Sequence, residues 1–492
     1  MDRNRTDALS FETSESGPWG DILSKRSGKA CKPKVGMLGC GYFEYWRMFS
    51  GQFKQDVISD LEKVADRLRQ RFDVVYAGVV DTLDAADLAG REFAGSDIDA
   101  LVVVEGTYIP DFITLQAIDH VPNVPVIMFT TQTEEDISPN DDYEALMRNS
   151  ALIGTAQLSG TFQKMGRPYD IVVGSICEDR PYAEISKLVQ AHVVARRLKS
   201  LTIGVIGHVF RGMYDLENDK TKIKGALGPD IIYVEMSHLL RQWETVTEDE
   251  AMVVADEMVS RFRMRGTTKE NLVRSCRLGL AMERLIDHLN LDALCFLGQH
   301  YIEKEVGAPA RIGATMILDR GEHIIASEGD LAGLVVMQAM AWLTGSPTFQ
   351  AEWGQYDASH NAVFIVGHGL GSPALASNDE SVTLTRSPEE WGFEGAGANI
   401  EFILKPGVVT MAHLLNTSRG WQMFISRGES LEYPCLPCDE LHGLIRVDIP
   451  VKDYLVEIQK KGVPHHVIVV HGDIREELKL LSKVMGIDFF VV

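Results

Sequence analysis

Short apolar runs alternate with helix-period segments twice over in this chain, and that alternation limits what it can fold into. Lys34-Val-Gly-Met-Leu-Gly39 is an apolar run ending in glycine, the pattern of a buried parallel strand. A helical spacing follows at Val57, Leu61, Val64 and Leu68. Further strands are expected over 72–77, 100–104 and 124–129, with helices over 83–93 and 111–119 between them. A second block opens at Leu201-Thr-Ile-Gly-Val-Ile-Gly207. It continues with strands over 231–234 and 293–297 and helices over 247–263, 268–289 and 330–343.

From residue 348 the periodicity changes. Short β-rich runs over 362–366, 400–404, 422–425, 445–447 and 466–470 are separated by Gly, Pro, Asn and Asp, which predicts an antiparallel barrel or sandwich. A helix over 473–485 and a strand over 488–492 close the chain. The expected class is therefore α/β: two consecutive doubly wound (flavodoxin- or Rossmann-like) domains, then a β-rich, barrel-like C-terminal domain. The expected layout is a mobile arm over 1–32, an α/β domain over 33–199, a central α/β domain over 200–345 and the β-rich domain over 346–492.

A chain of 492 residues exceeds what one hydrophobic core organises. Against 48 basic residues stand 70 acidic ones, a net charge of −22, which disfavours tracking a phosphate backbone and so excludes nucleic acid as a partner. No apolar run approaches the ~18 residues that cross a bilayer, and the first residues lack the apolar middle of a secretory signal. Seven scattered cysteines, an odd count, read as reduced thiols in a cytoplasmic protein. Cys435-Leu-Pro-Cys438 has no second pair at zinc spacing, so buried thiols near a turn are the expected use. Gly39-Cys-Gly41 suggests a dinucleotide loop, but Glu44 occupies the third glycine's place, so no nucleotide is expected.

The residues that carry chemistry lie in the second half. Glu328 sits in S-E-G-D (327–330), Glu352 in A-E-W-G-Q-Y-D (351–357), His368 in V-G-H-G-L (366–370) and His466 in G-V-P-H-H-V (462–467). Two carboxylates with two imidazoles suit Mn²⁺, with Co²⁺ or Mg²⁺ as alternatives, and need no thiolate. Singly, each has a plainer use: Glu328 and Asp330 as acids at a helix N-terminus, each histidine as a structural ring. Tyr356, beside Glu352, has the aromatic character that stacks on sugar rings. Adjacent residues of a strand face opposite ways, so at most one of His465 and His466 ligates.

Together these segments resemble the L-arabinose isomerase family, with fucose isomerases as a more distant match. In that family the four ligands are a Glu in E-G-D, a Glu beginning a polar-aromatic loop, a His in a G-[S]-H-x-L turn and the second His of G-x-x-H-H. Upstream, Phe129-Thr-Thr-Gln132 is similar to the family's F-H-T-Q, with Thr130 in place of its histidine, and Arg211–Lys220 is a poorer match to another family stretch. The resemblance implies a metal-dependent interconversion of an aldose and a ketose, of pentose or 6-deoxyhexose class, through an enediol(ate). It implies Glu328 and Glu352 as both ligands and acid/base groups, and His368 and His466 as neutral ligands. Thr130 and Gln132 become sugar contacts across a subunit boundary of a homotrimer or homohexamer, and Tyr356 and His465 further substrate contacts. Two other readings fit the residues: a metal-dependent epimerase or lyase on a sugar acid, and a non-catalytic sugar-binding protein.

Overall fold

The computed structural model describes residues 32–209, 212–296, 299–387 and 397–492. Except for Lys32, the arm expected over 1–32 lies outside them, as does the start of the Arg211–Lys220 stretch. The described residues form two compact units, 32–193 and 194–492. None of their helices is long and apolar enough to cross a membrane.

The first unit is built on a five-stranded parallel sheet in the order Asp73–Val75, Lys34–Cys40, Ala100–Glu105, Val126–Gln132 and Asp170–Ser175. Ala100–Glu105 is buried along its whole length, as expected of a central strand covered on both faces. The edge strand Asp170–Ser175, paired with Val126–Gln132, escaped the sequence reading because its side chains are only intermittently buried, leaving no continuous apolar run.

Besides a small three-stranded sheet of Ala398–Glu401, Thr383–Arg386 and Arg263–Met264, the second unit holds two larger sheets. One is parallel, in the order Ile324–Ser327, Ala293–Phe296, Thr202–Ile206 and Asp230–Val234. In the other, Gly407–Thr417, His466–His471, Phe349–Asp357, Ala362–Val366, His442–Val447 and Gly420–Ser430 pair antiparallel in that order, and the last pairs back with the first. That ring of pairings has no free edge among its six strands. Asp488–Val491 adds a parallel strand along Gly420–Ser430, so the whole sheet is mixed.

Two differences from the sequence reading matter for the site. Residues 349–357, where the resemblance implied a polar-aromatic loop beginning at Glu352, form a strand, and its alternation is broken by an irregularity between Trp353 and Gln355. Gly407–Thr417 is also a full strand. The helix Leu331–Thr344 is apolar on nearly every side because it is covered on every side. It packs against Ile324–Ser327 and against the barrel strands Gly407–Thr417 and His466–His471.

The helices Lys269–Leu289 and Arg311–Arg320 meet at a pair of glycines. A Cβ on Gly279 would lie 2.9 Å from the Gly313 Cα and 2.6 Å from the Met316 sulfur. The contact fixes the helix that leads into Ile324–Ser327. Gly279→Ala is therefore expected to destabilise the protein by about 1–3 kcal/mol through overpacking, read as a lower denaturation midpoint with an unchanged m-value.

Candidate metal centre

Glu328 follows directly on the parallel strand Ile324–Ser327. Its φ is 62° and that of Gly329 is 74°, so two successive residues occupy the left-handed region. Glycine tolerates this; a glutamate there is uncommon and marks a position held by its surroundings. Gly329 also lacks room for a side chain, since a Cβ would come within 3.0 Å of the Val209 backbone. Asp330 then caps Leu331–Thr344, its Oδ1 accepting the Gly333 N–H at 2.7 Å. The chain thus turns sharply and aims the Glu328 carboxylate away from the sheet.

The barrel supplies the other three groups. Glu352 pairs with His466 on one side and with Val366 on the other in the antiparallel ladder. Such opposed residues have Cβ atoms about 4.5–5.5 Å apart. His368 lies just past Val366, on a turn held by the Gly367 N–H donating to the Leu441 carbonyl at 2.8 Å.

The four side chains converge. Glu328, Glu352, His368 and His466 each offer a ligand atom, and these lie within 4.8 Å of one another. Donors held at about 2.0–2.2 Å from a common cation are at most about 4.4 Å apart, so a small inward adjustment of this set accommodates a divalent ion. His368 Nε2 is 2.9 Å from Glu352 Oε1 and 3.2 Å from Glu328 Oε1, and His466 Nε2 is 3.1 Å from Glu328 Oε2. Among the described residues this is the one such group of three or more His, Cys, Asp or Glu side chains.

Proton affinities follow from the crowding. Burial works against the charged form of both imidazoles, but the bonds to the carboxylates outweigh it. His368 is pushed up to about 10 by Glu328 and Glu352, and His466 up to about 9 by Asp330 and Glu328. Burial raises Glu328 and Glu352 too, yet the imidazoles hold Glu328 well below the usual carboxylate range and lower Glu352 as well.

Three polar residues behind this group were not assigned a site role in the sequence. Asp330, 0 % exposed, accepts from His466 Nδ1 at 2.9 Å through its Oδ2. Gln350 links the strand ends: its Oε1 accepts from the Ser327 N–H at 2.9 Å, and its Nε2 lies 3.1 Å from His466 Nδ1. His413 also reaches Asp330 Oδ2, at 3.0 Å. A histidine inside the apolar run Met411-Ala-His-Leu-Leu415 was the available signal.

The other expected residues lie elsewhere. Thr130 and Gln132 are in the first unit, at the carboxyl end of Val126–Gln132. Thr130 is buried with its hydroxyl bonded to Thr155 at 2.8 Å, whereas Gln132 is exposed. Tyr356 is half exposed and lines a separate 420 Å³ cavity with Phe364, Tyr433, His442 and Leu444. His465 is not one of the four converging residues: its ring lies 4.4 Å from that of His466, it donates through Nδ1 to Asp215 at 2.6 Å, and its Nε2 has no partner among the described residues. Cys435 and Cys438, expected as buried thiols, are exposed residues of the turn, and partial desolvation of the sulfurs pushes both thiols up to about 11. The nearby His442 accepts the Leu436 N–H through Nε2 and lies 2.9 Å from the Glu440 carbonyl through Nδ1, so its nitrogens are committed to the turn.

Two carboxylates and two imidazoles, set between a parallel sheet and a barrel, form a group that could hold a divalent metal ion. The chain is similar in sequence to proteins named as sugar isomerases. It is 22% identical over 436 residues to a sulfoquinovose isomerase of Alkalicoccus urumqiensis, covering 86% of this chain and 95% of the relative. It is 20% identical over 343 residues to the sulfoquinovose isomerase of Priestia aryabhattai, covering 70% and 76%. An L-arabinose isomerase of Aeromonas salmonicida is 19% identical over 428 residues, 84% of each chain. No protein-family model matches the chain.

The shifts set a pH window for chelator-treated protein. The folded imidazole values lie above the free value of about 6.5, so their pairing stabilises fully below that pH. This contribution is lost as pH rises through about 9 and about 10. The lowered carboxylates contribute above their ordinary range and lose that contribution on acidification. Thermal melts should therefore fall between about pH 6.5 and 10, more steeply than those of a His368→Ala, His466→Ala double variant. Parallel curves would refute the assignment.

Proposed function

We propose that this protein is an enzyme interconverting an aldose and a ketose, with Glu328, Glu352, His368 and His466 holding a divalent cation, Mn²⁺ or else Co²⁺ or Mg²⁺. The observation that carries the reading is the convergence of those four side chains, from four distant segments, onto one point. The relatives named as isomerases support the reaction class. When bound, the cation supplies Lewis-acid polarisation of the sugar's carbonyl and hydroxyl oxygens.

The rest is work for the protein's own groups. Isomerisation moves a proton between C1 and C2 of the open-chain sugar through an enediol, so a carboxylate must reach both carbons. Glu328 has both oxygens engaged by imidazoles. Glu352 is the more exposed of the two, at 23% against 12% for the side chains, and its Oε2 has no partner among the described residues. Glu352 is therefore the proton carrier and Glu328 the fixed ligand. Asp330 holds His466 so that Nε2 faces the ligand group. His465, kept by Asp215, contacts the sugar's hydroxyls, whereas Tyr356 lies in a separate cavity, and the substrate is of pentose or 6-deoxyhexose class. In a homotrimer or homohexamer, the exposed Gln132, backed by Thr130, meets sugar bound to another subunit.

Purified protein with Mn²⁺ should convert at least one aldose of a panel that includes L-arabinose, L-fucose and sulfoquinovose to its ketose, and chelation should stop it. Glu352→Gln is expected to lower kcat by about 10²–10⁴-fold, with sugar still bound. No ketose from any sugar, with affinity unaffected by chelator or by Glu328→Gln, would identify a binding protein instead. NMR of the products distinguishes a ketose from the C2 epimer or dehydrated product of a sugar-acid enzyme.

A further inference from the structure

His413 lies on the barrel strand Gly407–Thr417, between the buried residues Ala412 and Leu414, and is itself 1 % exposed. Both of its ring nitrogens face oxygen. Nδ1 is 2.8 Å from the Leu414 carbonyl, and Nε2 is 3.0 Å from Asp330 Oδ2. Both ring nitrogens are thereby engaged, which fixes the orientation of the imidazole. The same Asp330 oxygen accepts from His466 Nδ1 at 2.9 Å, and the other accepts the Gly333 N–H at 2.7 Å.

We infer that His413 is a positioning residue of the metal centre: it anchors the Asp330 carboxylate, which in turn holds the His466 ring by Nδ1 and leaves Nε2 toward the ligand group. The inference rests on the proposed metal centre. Two observations set His413 apart from ordinary packing. Asp330 is 0 % exposed, and His413 is the side chain besides His466 that forms an ion-pair contact with it among the described residues. A carboxylate so deeply buried keeps its place through its hydrogen-bond partners. Without His413, Asp330 Oδ2 would retain only His466 and the long Gln350 contact, and the His466 ring that it holds would be less fixed. Gln350 does not replace His413, because its Nε2 is 3.5 Å from Asp330 Oδ2.

The experiment compares the full-length parent with His413→Leu, His413→Asn and His413→Gln. Co²⁺ affinity is measured by calorimetry, and the low-field Nδ1–H proton of His466 by NMR of chelator-treated protein. Leucine fills the space without a donor, asparagine is polar but too short to reach Asp330, and glutamine can return one N–H. His413→Leu is expected to weaken Co²⁺ binding by about 10–100-fold and to lose or shift the low-field proton, with His413→Gln recovering much of both. A folded His413→Leu that binds Co²⁺ within twofold of the parent overturns the inference. If leucine prevents folding, His413→Asn decides by the same two outcomes. Should the parent itself not bind Co²⁺, the metal reading fails, and the NMR signal judges this one separately. Its presence in the parent and loss in His413→Asn supports the positioning role; its persistence in both overturns it.

Discussion

Glu352 and His466 face each other across an antiparallel ladder, and the rest of the centre is arranged around that opposition. Register in such a ladder is all or nothing: a slip of one residue turns every side chain to the other face. Here the slip is opposed from both sides. Phe349–Asp357 is paired with His466–His471 and with Ala362–Val366, and the ring of strands returns to its start. Ala351 and Val467, next to the two ligands, are buried in the apolar core, so a shifted register would exchange apolar groups for a carboxylate and an imidazole in that core.

Glu328 reaches the same point by a different device. It comes from the carboxyl end of a parallel strand, where open α/β sheets present their functional groups. The left-handed turn at Glu328 and Gly329 stores strain of order 1–3 kcal/mol at the glutamate. That cost is offset by what the turn arranges: the carboxylate meets two imidazoles, and Asp330 lands at the N-cap with its second oxygen toward His466. One turn of chain therefore supplies a ligand and the support of another ligand.

Much of this was legible in the sequence because period and punctuation survive without partners. The apolar runs at 34–40, 100–105, 202–206 and 293–296 are strands because their burial on both faces needs no alternation. The ligands could be proposed from their flanks, but their convergence depends on which strands pair, and pairing is a property of the whole barrel. Phe349–Asp357 was misread because Glu352, Gln355, Tyr356 and Asp357 make it look like a loop; it is a strand whose polar residues face a site and a cavity. Asp330 and His413 were harder still. Each is polar in an apolar setting, and only the structure reveals that they are partners.

The charges also explain how such a centre can be both buried and exchangeable. Two carboxylates, Glu328 and Glu352, sit where a dication would balance them, and the same two are balanced by His368 and His466 when each ring carries a second proton. Were a dication to bind, it would exchange for those two protons, and no step would leave an uncompensated buried charge. Asp330 supports the group from one place: its Oδ1 caps Leu331–Thr344, while its Oδ2 meets both His466 and His413. His413 is in turn fixed by the Leu414 carbonyl, so a helix N-terminus and the strand Gly407–Thr417 together set the ring of His466, which lies on neither.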